Sequence, residues 1–575
     1  MLDSMIREEA RKFALKNAVD FSKANAGAVL NKVLATNPEL RSNIKELAQL
    51  VNKEVSEVNA MAASDINKEF EKYASEFEEK ERIKEEKSAK PKMELEGAVV
   101  GDFATRVPPE PGGYIQIGNA KQAVLSAEFA RIYRGKLFLY FDDSNPEKCK
   151  LEYVDAIRND YEWLGLKFDG EYYASDYIEK LYEFTRKLIN KGKAYVCACD
   201  LERMKKLRFD GKECEHRQKS VSQNLSEFEN MVSGKVEDGS AVLRYKGDMA
   251  SLNTTMRDPV LARVRNIVHY RLGNKYKVWP TYDMTTPVID SVRGITDTIR
   301  DANWNELREE LDVAILKDLD LRVYRINLEG RFNIKGTPTA KREIRKLVND
   351  KIVDSWDDPR LVTISALRRR GIRPAAIRDF VLRFGMSVAS AVVDIDMLLA
   401  ENRKLIDPIA KHMFFVKDPI KVIVRGASAI SAKLRLHPSN DLGFREYATA
   451  SAFYISGDDA TALREGELVA LKDLLTVKIL SKDETQVTAE IASSERRDKI
   501  IQWVSDGNYV ECSVIVPEAL VDEEGNARKD SLKLLNGYVE SYATKLKVHE
   551  IVQFERFGYC ILDDKNGMKF IFTSK

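Results

Sequence analysis

Two groups of residues in this 575-residue chain have the types and spacing to do chemistry. The first is Cys197-Ala198-Cys199, then fourteen residues, then Cys214-Glu215-His216. Three thiolates and an imidazole form a complete tetrahedral set for zinc, and two close pairs on one loop limit the chelation entropy. Such a site has no open position, so its metal would be structural; reduced free cysteines are the alternative. The second is Arg106-Val107-Pro108-Pro109-Glu110-Pro111-Gly112-Gly113-Tyr114-Ile115-Gln116-Ile117-Gly118-Asn119-Ala120-Lys121. Its prolines and glycines set a tight turn after a strand, and Gly118 stands where a helix begins. Free amides at that positive helix end would favour a phosphate. On Gly/Pro spacing alone, an ordinary strand-to-helix turn is the alternative.

The elements that position these groups follow from the apolar pattern. Residues 1 to about 75 read as helices, with apolar residues three and four apart in Ala10–Leu15 and Ile44–Val51 and a break at Asn37-Pro38. Residues 76–98 turn Glu/Lys-rich and read as a charged, solvated linker. Lys136–Phe141 is a buried-strand run between a helical stretch, Ala120–Arg134, and the polar Asp142-Asp143-Ser144-Asn145-Pro146, which predicts a parallel α/β sheet. From about Asp407-Pro408 onward, many short strands separated by turns predict β-barrels.

Composition narrows the setting. Lys+Arg 92 against Asp+Glu 91 leaves a net charge of +1, which excludes a uniformly basic nucleic-acid coat and leaves only local patches. The densest are Arg368-Arg369-Arg370 with Arg373, and Lys341-Arg342 with Arg345-Lys346. Phosphate contacts there would position a nucleic acid without reading it; pairing with Asp357 and Asp358 is the alternative. Six cysteines are too few for a secreted disulfide framework. No apolar run approaches membrane-helix length, and the acids in Met1–Glu9 do not suit a secretory signal, so the expected location is the cytoplasm.

The segment 106–121 resembles the first signature of class I aminoacyl-tRNA synthetases in the glutamyl/glutaminyl branch. Phe141–Lys148 resembles the family's next block and Val278-Trp279-Pro280-Thr281-Tyr282-Asp283 its amino-acid-pocket strand. Trp356–Leu361 with Leu367–Ile372 resembles the helical stem, and Val552–Gly558 the distal barrel. The blocks run in family order over most of the chain, and the pattern is most similar to archaeal-type glutamyl-tRNA synthetases.

The resemblance implies a multidomain α/β protein: a Rossmann-like class I synthetase catalytic domain with a helical N-terminal domain and C-terminal β-barrels. The implied layout is a helical domain 1–75, linker 76–98, catalytic halves 99–185 and 277–350, an acceptor-stem-binding insertion 186–276 with the zinc cluster, a stem 351–408, and two anticodon-binding barrels 409–575. The implied reaction is ATP-dependent activation of glutamate to an adenylate, then transfer to the 3′ end of tRNA(Glu). ATP, Mg²⁺ and a structural Zn²⁺ would serve it, with tRNA(Gln) as a further acceptor left open. The helical N-terminal domain could contact tRNA or a protein partner. By resemblance Lys341, Gln116 and Asn119 are catalytic, and these three with Gly118 and Arg342 bind ATP. Arg106, Asp143, Tyr282 and Arg300 bind the amino acid, and Arg368, Arg369 and Arg370 bind tRNA. Two guanidiniums suit a dicarboxylic substrate and disfavour the glutaminyl alternative; a surface ion pair with Asp301 or Glu306 is the other reading of Arg300.

The chain departs from the family where donors to phosphate belong. Gln116 and Asn119 replace the signature histidines, Ala340 a serine of the lysine loop, Tyr140 an arginine and Asp297 a histidine. A tRNA-binding or regulatory protein that has lost activation is therefore the rival reading.

Overall fold

The computed structural model describes residues 2–88, 93–305, 307–428, 430–449, 451–493 and 497–575. They fall into two compact units, 1–90 and 91–575. The first is four helices, α1 (Leu2–Phe21), α2 (Ala26–Thr36), α3 (Ile44–Asn59) and α4 (Ala63–Ser88). Apolar residues at helical spacing meet in one core: Ala10, Ala14 and Leu15 from α1, Val29 and Val33 from α2, Leu47, Val51, Val55 and Val58 from α3. A 3-10 turn, Pro38–Asn43, makes the break between α2 and α3.

The expected linker needs correction, because residues 76–88 continue α4. Glu and Lys are strong helix formers, so a segment with little apolar periodicity still extends a helix that packing has nucleated. That packing is Phe77 edge-on to Phe13, with ring centroids 6.0 Å apart, and an ion pair of Lys12 with Glu76. Residues 89–92 of the expected linker lie outside the described residues.

The second unit opens as an α/β sheet. Strands β1 (Ala104–Val107), β2 (Lys136–Phe141) and β3 (Gly170–Tyr173) run parallel, joined by α5 (Ile117–Ile132) and α6 (Leu151–Trp163). After α7 (Ile178–Asn190) comes an antiparallel four-stranded insertion, β4 (Ala194–Cys197), β5 (Val242–Tyr245), β6 (Val260–Val264) and β7 (Val278–Pro280). Helices α8 (Leu201–Asp210) and α9 (Val221–Val232) lie between β4 and β5. The chain returns through α10 (Tyr282–Val292) to β8 (Asp297–Asp301), then α11 (Ala302–Asn305), α12 (Arg308–Asp318) and β9 (Arg325–Glu329), which pairs in parallel with β8. Thr296 N–H donates to Ala104 O at 2.9 Å, and Ala104 N–H to Thr296 Oγ1 at 2.8 Å. These bonds set β8 beside β1 and give the order β3-β2-β1-β8-β9. That is the doubly wound arrangement, which binds ligands at the carboxyl ends of its strands. Val278–Pro280, expected in the second catalytic half, is bonded to β6, so the insertion's sheet runs on to Pro280.

Strand β10 (Phe332–Ile334) leads to α13 (Lys341–Asn349), and the stem follows as α14 (Ile364–Arg369), α15 (Pro374–Leu382), β11 (Ala391–Val393) and α16 (Ile395–Ile406). Parallel pairing of β10 with β11 ties the catalytic half to the stem. Beyond α16 lie two seven-stranded sheets. The edges of one are Lys411–Met413 and Phe415–Lys417, with only Phe414 between them; the edges of the other are Lys499–Ile501 and Val504–Ser505. A sheet whose two edges are nearly consecutive in the chain curls on itself and shields its edges, as a barrel does. The sheet that begins at Lys411 also takes the chain's last strands, so the other barrel, residues 420–505, is set into it. Among the described residues no helix is long and apolar enough to cross a membrane.

Candidate active site

The segment entering α5 is held by the stem: Ile117 N–H donates to Val362 O and Ile364 N–H to Ile115 O, each at 3.0 Å. Between these bonds Gln116 caps α5. Its Oε1 accepts from Gly118 N–H at 2.5 Å, and Asn119 Oδ1 accepts from Gln116 N–H at 3.2 Å. This is a reciprocal capping box, so the helix end expected to meet phosphate is closed by its own side chains. The Gln116 NH₂ makes no hydrogen bond among the described residues and remains a donor. Gly118 is needed there, since a Cβ would stand 2.9 Å from Gln116 Nε2.

Lys341 opens α13, and its Nζ donates to Glu110 O at 2.8 Å. The lysine loop and the signature loop therefore meet. Burial lowers the Lys341 pKa to about 8, and nearby Arg345 pushes the same way against Glu110 and Cys149. Arg345 donates to Gly112 O of the same loop, whereas Arg342 is exposed. From behind, a barrel segment clasps the loop's base: Gly336 O accepts from Leu520 N–H at 2.7 Å and Val521 N–H at 3.1 Å.

Arg106 from β1 and Arg300 from β8 lie in one buried cluster. Arg106 Nε and Nη2 donate to Asp290 at 3.0 and 2.8 Å. Arg300 donates from Nη1 to Asp312 at 2.5 Å and from Nη2 to Tyr324 Oη at 2.7 Å, with Asp290 Oδ2 at 3.4 Å. A surface pair does not suit Arg300, whose side chain is 2% exposed and bonded to Asp312 rather than Asp301; Glu306 lies outside the described residues. Burial works to lower both arginine pKa values, but the surrounding acids and tyrosines hold them above the ordinary value. Half-buried Tyr282 at the start of α10 interacts electrostatically with both. Two donors are left over: Arg106 Nη1 and Arg300 Nε are buried without a partner. Buried N–H groups are rarely left unpaired, and a carboxylate is the acceptor that suits a guanidinium.

Asp143 has its own partners, apart from the Asp290 and Asp312 pairs. Its carboxylate accepts from Ser175 N–H (2.8 Å), Ser175 Oγ (2.7 Å) and Tyr270 Oη (3.0 Å), which ties β2 to the segment before β7. Its neighbour Asp142 is raised to about 7 by burial, against a bond from Ser144. The other departures from the family pattern are also built into the protein. Tyr140 is fully buried and stacks on Tyr172 at 4.9 Å, and Asp297 binds Arg325 through two hydrogen bonds of 2.7 Å.

The family model for the catalytic domain of class I (E and Q) tRNA synthetases matches residues 102–408. The chain belongs to that family. Two models of the same synthetases' anti-codon binding domain match residues 410–494 and 500–563. A glutamate-tRNA ligase of Nitrosopumilus maritimus is 40% identical over the whole of both chains, and one of Thermococcus kodakarensis is 39% identical over 98% of each. Among solved structures, a glutamate-tRNA synthetase from Elizabethkingia anophelis aligns with a TM-score of 0.41 and 17% identity over 54% of this chain and 71% of that one.

In this synthetase the four expected metal ligands converge. Cys197 ends β4; Cys214 caps a 3-10 turn after α8, and His216 lies within that turn. The ligand atoms of Cys197, Cys199, Cys214 and His216 all lie within 4.8 Å of one another, with Cys197 and Cys214 sulfurs 4.0 Å apart. A tetrahedral zinc with Zn–S of 2.3 Å needs ligand separations of about 3.8 Å, so the residues present fit the ion. Tyr195 braces the cluster, 3.7 Å from Cys214 Sγ and donating to buried Asp258 at 2.8 Å.

The three stem arginines part company. Arg368 is exposed, with its guanidinium 5.8 Å from the Trp163 ring centroid. Arg369 grips Asp563 of the barrel with two bonds of 2.9 and 2.8 Å, and Asp357 lies 3.6 Å away. Arg370 donates to Thr573 O at 3.3 Å, and burial lowers its pKa to about 10. The last two fasten the stem to the barrel, which leaves Arg368 as the arginine of the run open to a tRNA phosphate. Sequence reasoning missed Asp290, Asp312 and Tyr324. Asp290 was within reach, because Tyr282, Thr286 and Asp290 follow one another at i, i+4 and i+8 on α10 and so share a face.

Proposed function

We infer that the chain is a glutamate-tRNA ligase, and the observation that carries this reading is the Arg106–Arg300 pair with its two buried, unpartnered N–H groups. Glutamate brings a second carboxylate where glutamine brings an amide, so two guanidiniums, one for each carboxylate, favour the dicarboxylic amino acid. In the first step a carboxylate oxygen of glutamate bonds to the α-phosphorus of ATP, and pyrophosphate leaves with the electron pair of the broken P–O bond. In the second, a hydroxyl of the terminal ribose of tRNA attacks the acyl carbon and AMP leaves. Catalysis here is positioning and electrostatic stabilisation. Arg106 and Arg300 orient the amino acid, and Lys341 and Gln116 offer donors toward the phosphates. Mg²⁺ travels with the ATP phosphates and offsets their charge.

Zinc held by Cys197, Cys199, Cys214 and His216 would fasten the insertion without entering the reaction. Metal analysis of the purified protein should give one zinc per chain and, for Cys197→Ser, almost none; a stoichiometry near zero in the parent chain removes the zinc assignment. Arg368 would meet the tRNA backbone, and the four-helix unit would contact tRNA or a protein partner. The rival of a tRNA-binding protein that has lost activation is disfavoured by the retained lysine at the signature loop.

The test is transfer of labelled glutamate or glutamine to tRNA(Glu) and tRNA(Gln). Stable charging of tRNA(Glu) with glutamate is expected, and the tRNA(Gln) arm settles the second acceptor. Charging with glutamine alone would overturn the assignment.

A further inference from the structure

Helix α13 buries Ile344 and Leu347 in a core with Tyr153, Val353, Trp356, Leu361 and Leu520. Lys341 and Arg345 are one turn apart on another face, so their side chains are neighbours. Both are half-buried, and both end on main-chain oxygens of the signature loop, Lys341 on Glu110 O and Arg345 on Gly112 O. Among the described residues no carboxylate forms an ion pair with either. The helix adds its own positive end here, because its N-cap is Ala340 and no side chain caps it. A Cβ on Gly112 would lie 3.4 Å from Arg345 Nη2, 3.4 Å from Glu110 Oε2 and 3.4 Å from the Cβ of exposed Lys148.

Like charges at i,i+4 repel, and partial burial makes the repulsion worse. Main-chain carbonyl oxygens hold the two cations in place, and the one carboxylate felt by Lys341, that of Glu110, is not enough to keep its pKa at the ordinary value. An anion with several oxygens in one place would cancel the charge of both, and phosphate oxygens are much stronger acceptors than peptide carbonyls. Gln116 and Asn119, at the start of α5, are uncharged and bonded to that helix end, so neither brings a positive charge to the signature loop.

We propose that Arg345 is a phosphate-binding residue of the ATP site, which supplies beside Lys341 a second positive charge. In adenylate formation, it would leave Gly112 O for the oxygens of the β- and γ-phosphates and stabilise them as pyrophosphate departs. The proposal rests on the ligase reading for the reaction, but not for binding.

The test uses the full-length chain with Arg345→Gln and Arg345→Lys. Binding of Mg-ATP and of inorganic pyrophosphate is measured by calorimetry, and glutamate-dependent exchange gives KM and kcat. Losing one charged hydrogen-bonding group should weaken pyrophosphate binding and kcat/KM for ATP about 10- to 150-fold. The melting temperature without nucleotide should stay near that of the parent, and Arg345→Lys should recover a large part of the loss. Unchanged binding of both ligands in Arg345→Gln would overturn the proposal. So would equal losses in both variants, since the positive charge that the phosphates would meet survives in Arg345→Lys. A parent chain that binds neither ligand sinks both readings, whereas ATP binding without exchange sinks only the ligase reading.

Discussion

Removing Arg300 should do two separable things. Its Nη1 is the cation that faces Asp312, and both side chains are almost wholly buried, 2% and 1% exposed. Arg300→Gln therefore leaves Asp312 as a buried carboxylate without its cation, an arrangement that costs about 3–5 kcal/mol of stability. Burial already raises the Asp312 pKa against the opposing effect of Arg300, so part of that cost will be relieved by protonation. Separately, the Arg300 Nε that awaits a substrate carboxylate is lost. One charge-assisted hydrogen bond is worth about 1.5–3 kcal/mol, which corresponds to about 10- to 150-fold in kcat/KM for glutamate.

The double variant Arg300→Gln, Asp312→Asn separates the two effects. It restores neutrality, so it should melt well above Arg300→Gln alone, yet it should show the same loss with glutamate. Amino-acid-dependent ATP–pyrophosphate exchange with glutamate and with glutamine, read beside thermal melts, gives both quantities. If the well-folded double variant keeps its preference for glutamate over glutamine within about twofold, Arg300 does not read the substrate and the pocket argument is wrong.

Three further outcomes follow from the same geometry. With Lys341 lowered to about 8, kcat/KM for ATP should fall as pH rises through that value and the cation is lost; Lys341→Arg should move the fall upward, and a fall that stays put would show that another group titrates. Burial raises Asp160 to about 7, so the stability tied to its protonated form is complete below the ordinary carboxylate pKa and lost as pH rises through about 7. Asp160→Asn keeps an acceptor for Ser365, which donates at 3.0 Å, and should melt above the parent at about pH 8 with the advantage gone by about pH 4; equal melts at both pH values would contradict the shift. Gly336 has φ +78°, and a Cβ there would stand 2.8 Å from Ala519 Cβ, so Gly336→Ala should cost about 1–3 kcal/mol and slow exchange by loosening the loop, whereas Gly507→Ala, also at positive φ but with open space around it, should leave exchange intact.

Much of the catalytic fold was legible because it depends on local pattern. The run Lys136–Phe141 is a strand because five apolar or aromatic positions, Leu137 to Phe141, end in a polar turn, and the signature reads as strand, turn and helix from its prolines and glycines. The charged stretch 76–88 was misread because solvated linkers and exposed helices share a Glu/Lys-rich composition; what separates them is the contact of Phe77 with Phe13. The barrels were legible from their short strands and turns, but their edges were not, since nothing local in Lys411–Lys417 says that its two halves pair at opposite edges of one sheet. The site shows the same division. Residue types and spacing picked out the Cys/His cluster, and the family resemblance pointed to Arg106 and Arg300, but whether a guanidinium faces a ligand or a neighbouring domain depends on tertiary pairing. That is why Arg369 and Arg370, indistinguishable from Arg368 in the sequence, turn out to hold the barrel through Asp563 and Thr573.

The most direct test of the central claim is glutamate-dependent ATP–pyrophosphate exchange by the full-length chain, with and without tRNA, alongside Lys341→Ala. Exchange that requires glutamate and collapses in Lys341→Ala is the predicted result, with Gln116 and Asn119 serving where histidines stand in the family. Absence of exchange under both conditions, from a folded chain that still binds tRNA, would contradict it.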